Sequence, residues 1–324
     1  MIQPFIKRKN FDFVVPIKKI GMFTKAVLEG MQTFYAPKRI FVVTNQEEKD
    51  VLEKEIIVNN NDNSEIVFVD EETFFVKHFG LTMTDLNQVF CKKTDKDNGN
   101  SNHDNSNHGN GNHREFGWWY QQLIKLGAST QIEDISESYV VWDGDLIPLT
   151  KWELCSQDTF HAAILQDQPR SEFNRQEYNK CIRHLLGIDV SKPFEGTFVT
   201  HHMVFEKKYL KEIFEHIHDT LLLSCSQSWP IYFISLSHSF YRFSEYLLYA
   251  TFMMHFHPDA FHCHSFEKYG KDGIRFRETT EIIQDMKKGK DFNTFFTYAD
   301  IVDYFSKNNK HLPSYVQFEH VYFF

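Results

Sequence analysis

Strand-like and helix-like segments alternate near the amino terminus, and this alternation constrains the fold more than any other feature of the sequence. The apolar segments 11–17 (FDFVVPI), 39–45 (RIFVVTN) and 65–70 (EIVFVD) have the composition of strands, whereas 22–31 (MFTKAVLEGM) has that of a helix. Strands that alternate with helices form parallel sheets with crossover helices. We therefore predict an α/β fold with a mixed, mostly parallel sheet flanked by helices. The length allows one large domain or two modest ones, and we predict a single domain over residues 1–324.

Charge and hydropathy exclude several classes of protein. A formal net charge of −9 argues against general binding to nucleic acid or anionic membranes, because Lys and Arg hold phosphate groups. No window approaches the roughly 18 apolar residues of a membrane span, and the amino terminus lacks the apolar core of a signal peptide. The cysteines, which have no CxxC spacing, are Cys91, Cys155, Cys181, Cys225 and Cys263. We expect a cytoplasmic protein in a reducing compartment, with no membrane span and no nucleic-acid partner.

Residues 94–113 (TDKDNGNSNHDNSNHGNGNH) form a low-complexity run with almost no apolar side chain. Such a run cannot offset the entropy of ordering, so we predict a disordered surface insertion within the single domain. Its three histidines are compatible with loose metal binding, although biased tracts of this kind are usually inert.

The later part of the chain contains further strand-like and helix-like segments. Residues 159–165 (TFHAAIL) and 196–205 (GTFVTHHMVF) have the composition of strands, and 117–129 and 243–256 have that of helices. The last ten residues, 315–324, are too aromatic to lie free in water, so we expect them to pack onto the domain.

The segment 139–149 (YVVWDGDLIPL) is the strongest chemical signal in the sequence. A run of apolar residues, typical of a buried strand, ends in Asp143, Gly144 and Asp145. Burying unpaired carboxylates would cost several kcal/mol, so a positive group should lie beside them. Mg²⁺ and Mn²⁺ favour oxygen ligands of this kind and share them with substrate phosphates. The alternative from these residues alone is a solvated Asp-Gly turn whose carboxylates cap their own backbone.

Four blocks occur in order over residues 117–252: GWWYQQLIKL, VVWDGDLIPL, THHMVFEKKYL and FSEYLLYATF. They resemble the blocks GWYxQQxxKL, a strand ending in DxD, HHMxF and SEYxLY of an uncharacterised family assigned to the GT-A class of nucleotide-sugar-dependent glycosyltransferases. Trp119 stands where that family often has Tyr, and the resemblance weakens beyond residue 256. The resemblance implies a GT-A-like, Rossmann-type sheet and transfer of a sugar from a nucleotide-diphosphate sugar.

The resemblance also implies ligands and site residues. The cofactor would be Mn²⁺ or Mg²⁺ on Asp143 and Asp145, the donor most simply a UDP-sugar, and the acceptor a glycan, a protein or a small molecule. Asp145 and Glu245 would be the catalytic residues, with Glu245 positioning or deprotonating an acceptor hydroxyl. The positions implied for donor binding are Lys125, Gln121, Gln122, Trp142, Asp143, Gly144, His201 and His202.

Several of these residues also have purely structural interpretations. Lys125 fits a solvated helix face, and one histidine of the pair His201 and His202 should point into the core because side chains alternate along a strand. Ser244 fits a helix N-cap, which would place Glu245 in a first turn where the helix dipole favours a carboxylate.

Four histidines lie within residues 255–264 (HFHPDAFHCH). In many retaining GT-A enzymes a late histidine completes the metal shell; His262 and His264 are the candidates here, and we predict that His264 joins Asp143 and Asp145. A separate structural zinc site that includes Cys263 is the alternative.

Two other functions are compatible with the sequence. A nucleotidyltransferase also arranges carboxylates around a metal, but it usually begins with a Gly-rich loop, and VVPIKKIGMFTK contains one glycine. A non-catalytic binding module would use Asp143 and Asp145 for a turn or for Ca²⁺.

Overall fold

The computed structural model describes residues 11–56, 64–91, 108–165, 172–188, 200–221, 228–240, 242–276, 280–289, 294–308 and 311–318. Its strands are β1 (Asp12–Pro16), β2 (Arg39–Thr44), β3 (Glu65–Asp70), β4 (Ser138–Trp142), β5 (Leu146–Pro148), β6 (Cys155–Ser156), β7 (Thr159–Ala163), β8 (His202–Glu206), β9 (Phe261–His264), β10 (Ile274–Phe276) and β11 (Tyr315–Phe318).

The helices flank these strands. They are α1 (Thr24–Tyr35), α2 (Gln46–Glu55), α3 (Val76–Phe79), α4 (Met83–Cys91), α5 (His108–Gln131), α6 (Glu172–Leu186), α7 (Lys207–Leu221), α8 (Trp229–Leu236), α9 (Glu245–Phe256), α10 (Phe266–Tyr269), α11 (Thr280–Met286) and α12 (Tyr298–Asn308). None of them combines the length and apolar character that a membrane crossing requires.

A five-stranded sheet in the order β3-β2-β1-β4-β8 forms the centre of the protein. The first four of these strands are mutually parallel, and β8 runs antiparallel to β4. The predicted α/β fold with a mostly parallel sheet is therefore confirmed, because the alternating segments near the amino terminus form the strands and crossover helices. The carboxyl ends of β1, β2, β3 and β4 meet at one edge, which is where ligands bind in sheets of this kind.

Two small sheets extend the structure beside that edge. In one, β11 pairs in parallel with β10 and antiparallel with β5, the strand that follows the Asp-Gly-Asp segment. In the other, β7 pairs antiparallel with β6 and in parallel with β9. The described part of the aromatic tail, Tyr315–Phe318, is buried as β11, as expected from its composition. Residues 319–324 lie outside the described part of the chain.

The low-complexity run, predicted to be disordered over residues 94–113, overlaps the start of a helix. Residues 94–107 lie outside the described residues, whereas 108–113 belong to the backbone of α5. Extending a formed helix adds one hydrogen bond for each residue fixed, so a helix can continue into a polar sequence once it has nucleated. The apolar run 117–129 lies in α5, as predicted.

Candidate functional site

Asp143, Gly144 and Asp145 form the turn between β4 and β5 at the carboxyl edge of the parallel strands. Gly144 passes close to β1: a Cβ atom at this position would lie 2.8 Å from Cγ1 of Ile17 and 3.5 Å from the carbonyl oxygen of Pro16. Glycine is therefore required for the close approach, and it fixes both carboxylates next to the central sheet.

Lys125 is the positive group that the buried carboxylates require. It projects from α5, is 2% exposed, and forms an ion pair with Oδ1 of Asp143. Its ammonium also donates hydrogen bonds to Oε1 of Glu245 at 2.7 Å and to the hydroxyl of Tyr246 at 3.2 Å. A solvated position for Lys125 is thereby excluded, and α5 and α9 are joined through one buried ammonium.

The second oxygen of Asp143 contacts His201. The Nδ1 atom of His201 lies 2.7 Å from Oδ2 of Asp143, and the backbone N–H of Asp143 donates to the carbonyl of His201 at 2.8 Å. His201 has a φ of 57°, a left-handed conformation that costs a residue with a side chain about 1–2 kcal/mol. The two hydrogen bonds to Asp143 hold the imidazole in this conformation at the amino end of β8.

Asp145 approaches the same histidine through Gln317 of β11. The Nε2 atom of Gln317 donates to Oδ1 of Asp145 at 3.1 Å and lies 3.2 Å from Nδ1 of His201. Gln317 is almost fully buried, and the pairing of β11 with β5 sets its position. One ligand atom from each of Asp143, Asp145 and His201 lies within 4.8 Å of the other two.

The charges in this cluster are set by burial and by pairing. Burial raises the pKa of Asp143, but the Lys125 ammonium and the hydrogen bond with His201 outweigh it, so the pKa lies well below its usual range. Burial lowers the pKa of Lys125, but the two carboxylates more than compensate and raise it. The pKa of Glu245 is raised, chiefly because the carboxyl is buried. At neutral pH, Asp143 is therefore a carboxylate and Lys125 an ammonium.

The residues fit a divalent cation. The ring nitrogen of His201 that faces the carboxylates is Nδ1, which lies 2.7 Å from Oδ2 of Asp143 and 3.2 Å from the Gln317 amide that binds Asp145, so a cation there would take the place of the Nδ1 proton. A carboxylate offers about four lone-pair sites. Contacts from Lys125, Tyr246 and His201 use three of those on Asp143. Two carboxylates and one imidazole are suitable ligands for Mn²⁺ or Mg²⁺.

His264 lies in a different group from the one that was predicted. It belongs to a cluster with Glu153 and His161, whereas the histidine beside Asp143 and Asp145 is His201. Spacing along the chain could not show that His201, rather than His264, lies beside the two aspartates. The reason is that β9, which carries His264, pairs with β7 in a separate small sheet.

The other predicted donor residues differ in their surroundings. Trp142 is fully buried and donates its indole N–H to the carbonyl of Leu146 at 2.8 Å. The ring of His202 lies 4.2 Å from that of Trp152, so His202 is the inward-pointing histidine of the pair. Both side chains are part of the core. Gln121 is half-buried on α5, and the buried Gln122 accepts a hydrogen bond from the backbone N–H of Glu245 at 3.1 Å.

Ser244 and Glu245 occupy the start of α9. The Ser244 hydroxyl accepts a hydrogen bond from the backbone N–H of Leu247, so the predicted N-cap is confirmed and Glu245 is the first helical residue. The Glu245 carboxylate is buried and contacts Lys125. Glu245 therefore lies in the first turn of α9 and also contacts the charged cluster through Lys125.

Sequence reasoning missed Tyr246 and Gln317. The Tyr246 hydroxyl donates to Oδ1 of Asp143 at 3.0 Å, although only its neighbour Glu245 was predicted to act in the site. Gln317 is a polar residue in the otherwise apolar run YVQF, and an uncharged polar side chain in a buried strand is a signal of a specific hydrogen-bonding role.

Comparison with known families identifies the group to which this sequence belongs. The model of a family of unknown function, DUF6492, matches residues 22–317. The chain is therefore a member of the DUF6492 family. No curated protein matches the sequence.

Comparison with solved structures finds glycosyltransferases at low sequence identity. Mouse xyloside xylosyltransferase 1 in its apo form is similar with a TM-score of 0.48 and 10% identity, covering 95% of this chain and 97% of that chain. The galactosyltransferase LgtC, in complex with donor and acceptor sugar analogs, has a TM-score of 0.40 and 10% identity over 95% and 87% of the two chains. The bifunctional glycosyltransferase WbbM has a TM-score of 0.41 and 12% identity, over 96% of this chain and 46% of that chain.

Proposed function

We propose that this protein is a glycosyltransferase that moves a sugar from a nucleotide-diphosphate sugar to an acceptor, with Mn²⁺ or Mg²⁺ bound by Asp143, Asp145 and His201. The observation that carries the proposal is the grouping of these three ligands within 4.8 Å, with Nδ1 of His201 facing Asp143. The group lies at the carboxyl ends of the parallel strands, where a nucleotide would be expected to bind.

The bound metal would neutralise the negative charge that develops on the leaving diphosphate. The residues around it hold the two carboxylates in place. Lys125 and Tyr246 fix Oδ1 of Asp143, and Gln317 fixes Oδ1 of Asp145. Orientation of this kind matters because a displacement of about 1 Å in a site can cost about 100-fold in rate.

Glu245 has a different role in this proposal from that of a base on the acceptor. Its carboxylate contacts Lys125, which in turn contacts Asp143, so Glu245 is a positioning residue that acts through Lys125. Lys125 itself is almost fully buried and is committed to two carboxylates. We therefore assign it to the support of the metal ligands, rather than to direct contact with the donor.

The proposal also includes the kinds of donor and acceptor. A UDP-sugar is the donor to test first, because the sequence blocks resemble those of nucleotide-sugar-dependent enzymes. A glycan, a protein or a small molecule would be the acceptor. The net charge of −9 also agrees with a site in which a cation supplies the local positive charge for the diphosphate.

The test is binding of nucleoside diphosphates to the full chain after removal of metal with a chelator. We expect UDP, GDP or CDP to bind, as measured by calorimetry, only when Mn²⁺ or Mg²⁺ is present. The matching nucleotide sugar should then be hydrolysed or transferred, with release of the diphosphate. Absence of metal-dependent binding for the whole set of nucleotides would contradict the proposal.

Two variants make this test specific. Asp145→Asn should lose the metal-dependent binding, whereas Asp219→Asn should retain it. The Asp219 side chain is 84% exposed on α7, and its replacement by Asn removes the same charge from the chain as Asp145→Asn does. Equal binding by both variants would show that the nucleotide does not use the Asp143–Asp145 turn.

A further inference from the structure

A second cluster of ligating side chains lies on the small sheet formed by β6, β7 and β9. Glu153, His161 and His264 each place one ligand atom within 4.8 Å of the other two. The parallel register pairs His161 with His262 and Ala163 with His264, so the three histidines occupy one face of this sheet. The face therefore gathers imidazoles from two strands and a carboxylate from the segment before β6.

The distances in this cluster match those between the ligands of a zinc ion. The Nδ1 atom of His161 lies 3.0 Å from Nε2 of His264 and 3.6 Å from Oε2 of Glu153. A tetrahedral site with bonds of about 2.0–2.1 Å has ligand atoms about 3.3 Å apart. These two separations lie on either side of that value, and the ligand atoms of Glu153 and His264 lie within 4.8 Å of each other, so side-chain movements would bring all three atoms onto one ion.

A hydrogen bond outside the cluster orients His161 for this role. The Ser156 hydroxyl lies 2.8 Å from Nε2 of His161. When the hydroxyl accepts a hydrogen bond from Nε2–H, the lone pair of the ring lies on Nδ1, the atom that faces His264 and Glu153. Histidines that bind metals are commonly held through their other ring nitrogen in this way.

We propose that Glu153, His161 and His264 form a second metal site, which binds a divalent transition ion of the Zn²⁺ type and leaves at least one position open to solvent. Two imidazoles and one carboxylate are a known zinc ligand set. The Glu153 side chain is 50% exposed, which gives an ion access to the two buried histidines. This site is rich in nitrogen, whereas the site at Asp143 is rich in oxygen, so the two select different ions.

A lysine ammonium lies next to this cluster. The exposed Lys268 approaches Nδ1 of His264 at 3.3 Å. When a metal binds Nε2 of His264, Nδ1 carries the proton, so the Lys268 ammonium must turn away into solvent.

The test measures Zn²⁺ binding to the full chain by calorimetry and by competition with a chromophoric chelator. The background is a variant in which the three histidines of the low-complexity run, His103, His108 and His113, are replaced by Ala and Asp145 by Asn, so that the run and the proposed Asp143 site do not compete for Zn²⁺. We expect one saturable Zn²⁺ equivalent in this background. Binding of Co²⁺ to the same site should give the intense visible absorption of low-symmetry coordination.

Substitutions then assign the ligands. Glu153→Gln changes an exposed residue and should weaken Zn²⁺ binding by about tenfold or more without unfolding the protein. Ser156→Ala should weaken it by about 10- to 100-fold through loss of the orienting hydrogen bond. Lys268→Ala should tighten binding, because a competing contact is removed. His255→Ala removes an exposed histidine outside the cluster and should leave binding unchanged.

Two results would overturn this proposal. One is the absence of saturable Zn²⁺ binding in the background variant. The other is equal affinity in Glu153→Gln and His255→Ala, which would leave the cluster as a chain of hydrogen bonds from Lys268 through His264 and His161 to Ser156. Neither result depends on glycosyl transfer, so the test is independent of the proposed function.

Discussion

The Nδ1 atom of His201 lies 2.7 Å from Oδ2 of Asp143, while the opposite ring nitrogen is buried and has no hydrogen-bond partner among the described residues. Asp143 thus holds the imidazole in the tautomer whose lone pair is on Nε2. The strained φ of His201 and the hydrogen bond from the Asp143 backbone to its carbonyl maintain the same orientation. Together these contacts fix the ring beside the two carboxylates, with Nδ1 as the nitrogen that faces them.

The first prediction concerns the histidine pair. His201→Ala should weaken Mn²⁺ binding by at least about tenfold, because a metal ligand and its orienting contacts are lost. The matched change His202→Phe should retain Mn²⁺ binding, because His202 lies in the aromatic core beside Trp142 and Trp152. Calorimetric titration with Mn²⁺ measures both affinities. A larger loss in His202→Phe than in His201→Ala, with both proteins folded, would contradict the assignment.

The second prediction concerns the buried ammonium. Lys125→Met should lower the free energy of unfolding by about 3–5 kcal/mol, because the buried Glu245 and the partly buried Asp143 lose the cation that pairs with them. The double variant Lys125→Met with Glu245→Gln should be less destabilised than the sum of the single changes, since one stranded charge is removed. Urea denaturation of the four proteins gives the coupling energy. Additive effects would show that the two groups are energetically independent.

The third prediction separates a positioning role of Glu245 from a purely structural one. Glu245→Gln keeps the size of the side chain but replaces a charged partner of Lys125 with a neutral one, so the ammonium and Asp143 should shift and sugar transfer should fall by about 100-fold. Because Glu245 acts through Lys125 on a metal ligand, the affinity for Mn²⁺ should fall together with the transfer rate. Once a donor is known, steady-state kinetics will measure it. Normal turnover with a slightly lower Tm would make Glu245 a helix-start residue only.

The fourth prediction concerns the glycine of the turn. In Gly144→Ala, the new methyl group would lie 2.8 Å from Cγ1 of Ile17, and overpacking of this kind costs about 1–3 kcal/mol. The turn should also shift and weaken Mn²⁺ binding. Adding Ile17→Ala removes the clashing atom, so the double variant should regain part of the lost affinity. If Ile17→Ala restores no metal binding, the clash with Ile17 is not the cause of the loss in Gly144→Ala.

The fifth prediction is a pH dependence of stability that originates far from the metal ligands. Burial raises the pKa of Asp12, but Arg39 and Ser136 outweigh it, so the folded pKa lies below the ordinary value of 3.8. The unfolded chain therefore binds the proton more readily than the folded one. The stabilisation is fully present above pH 3.8 and is lost as the pH falls through the folded pKa.

The variant Asp12→Asn tests this pH dependence. It should lower stability at pH 7 by about 2 kcal/mol, because the hydrogen bonds to Arg39 lose their charge. It should also reduce the decline of stability in acid. Urea denaturation between about pH 2 and pH 7 measures both effects. The control Glu53→Gln, at an exposed site on α2, should retain the acid decline, and an equal decline in Asp12→Asn would contradict the prediction.

Local composition was sufficient to predict the class of fold and the position of the turn. The segments FDFVVPI, RIFVVTN and EIVFVD form β1, β2 and β3, and the Asp-Gly-Asp turn follows β4 as its sequence indicated. These features depend on the periodicity of apolar residues and on turn chemistry, which act over a few residues. Ser244 was likewise predicted correctly as an N-cap, because a cap contacts a backbone group only three residues away.

The tertiary structure decided which side chains meet. Lys125 and Glu245 lie 120 positions apart in the sequence, and Asp145 and Gln317 lie 172 apart. No local pattern encodes such contacts, since they depend on strand order and register. The same reason explains His264: its place in a His-rich segment suggested the metal site at Asp143, but the pairing of β9 with β7 puts it beside His161 instead. The sequence alone thus determined the kinds of ligand that this protein carries, and long-range strand pairing determined how they are grouped.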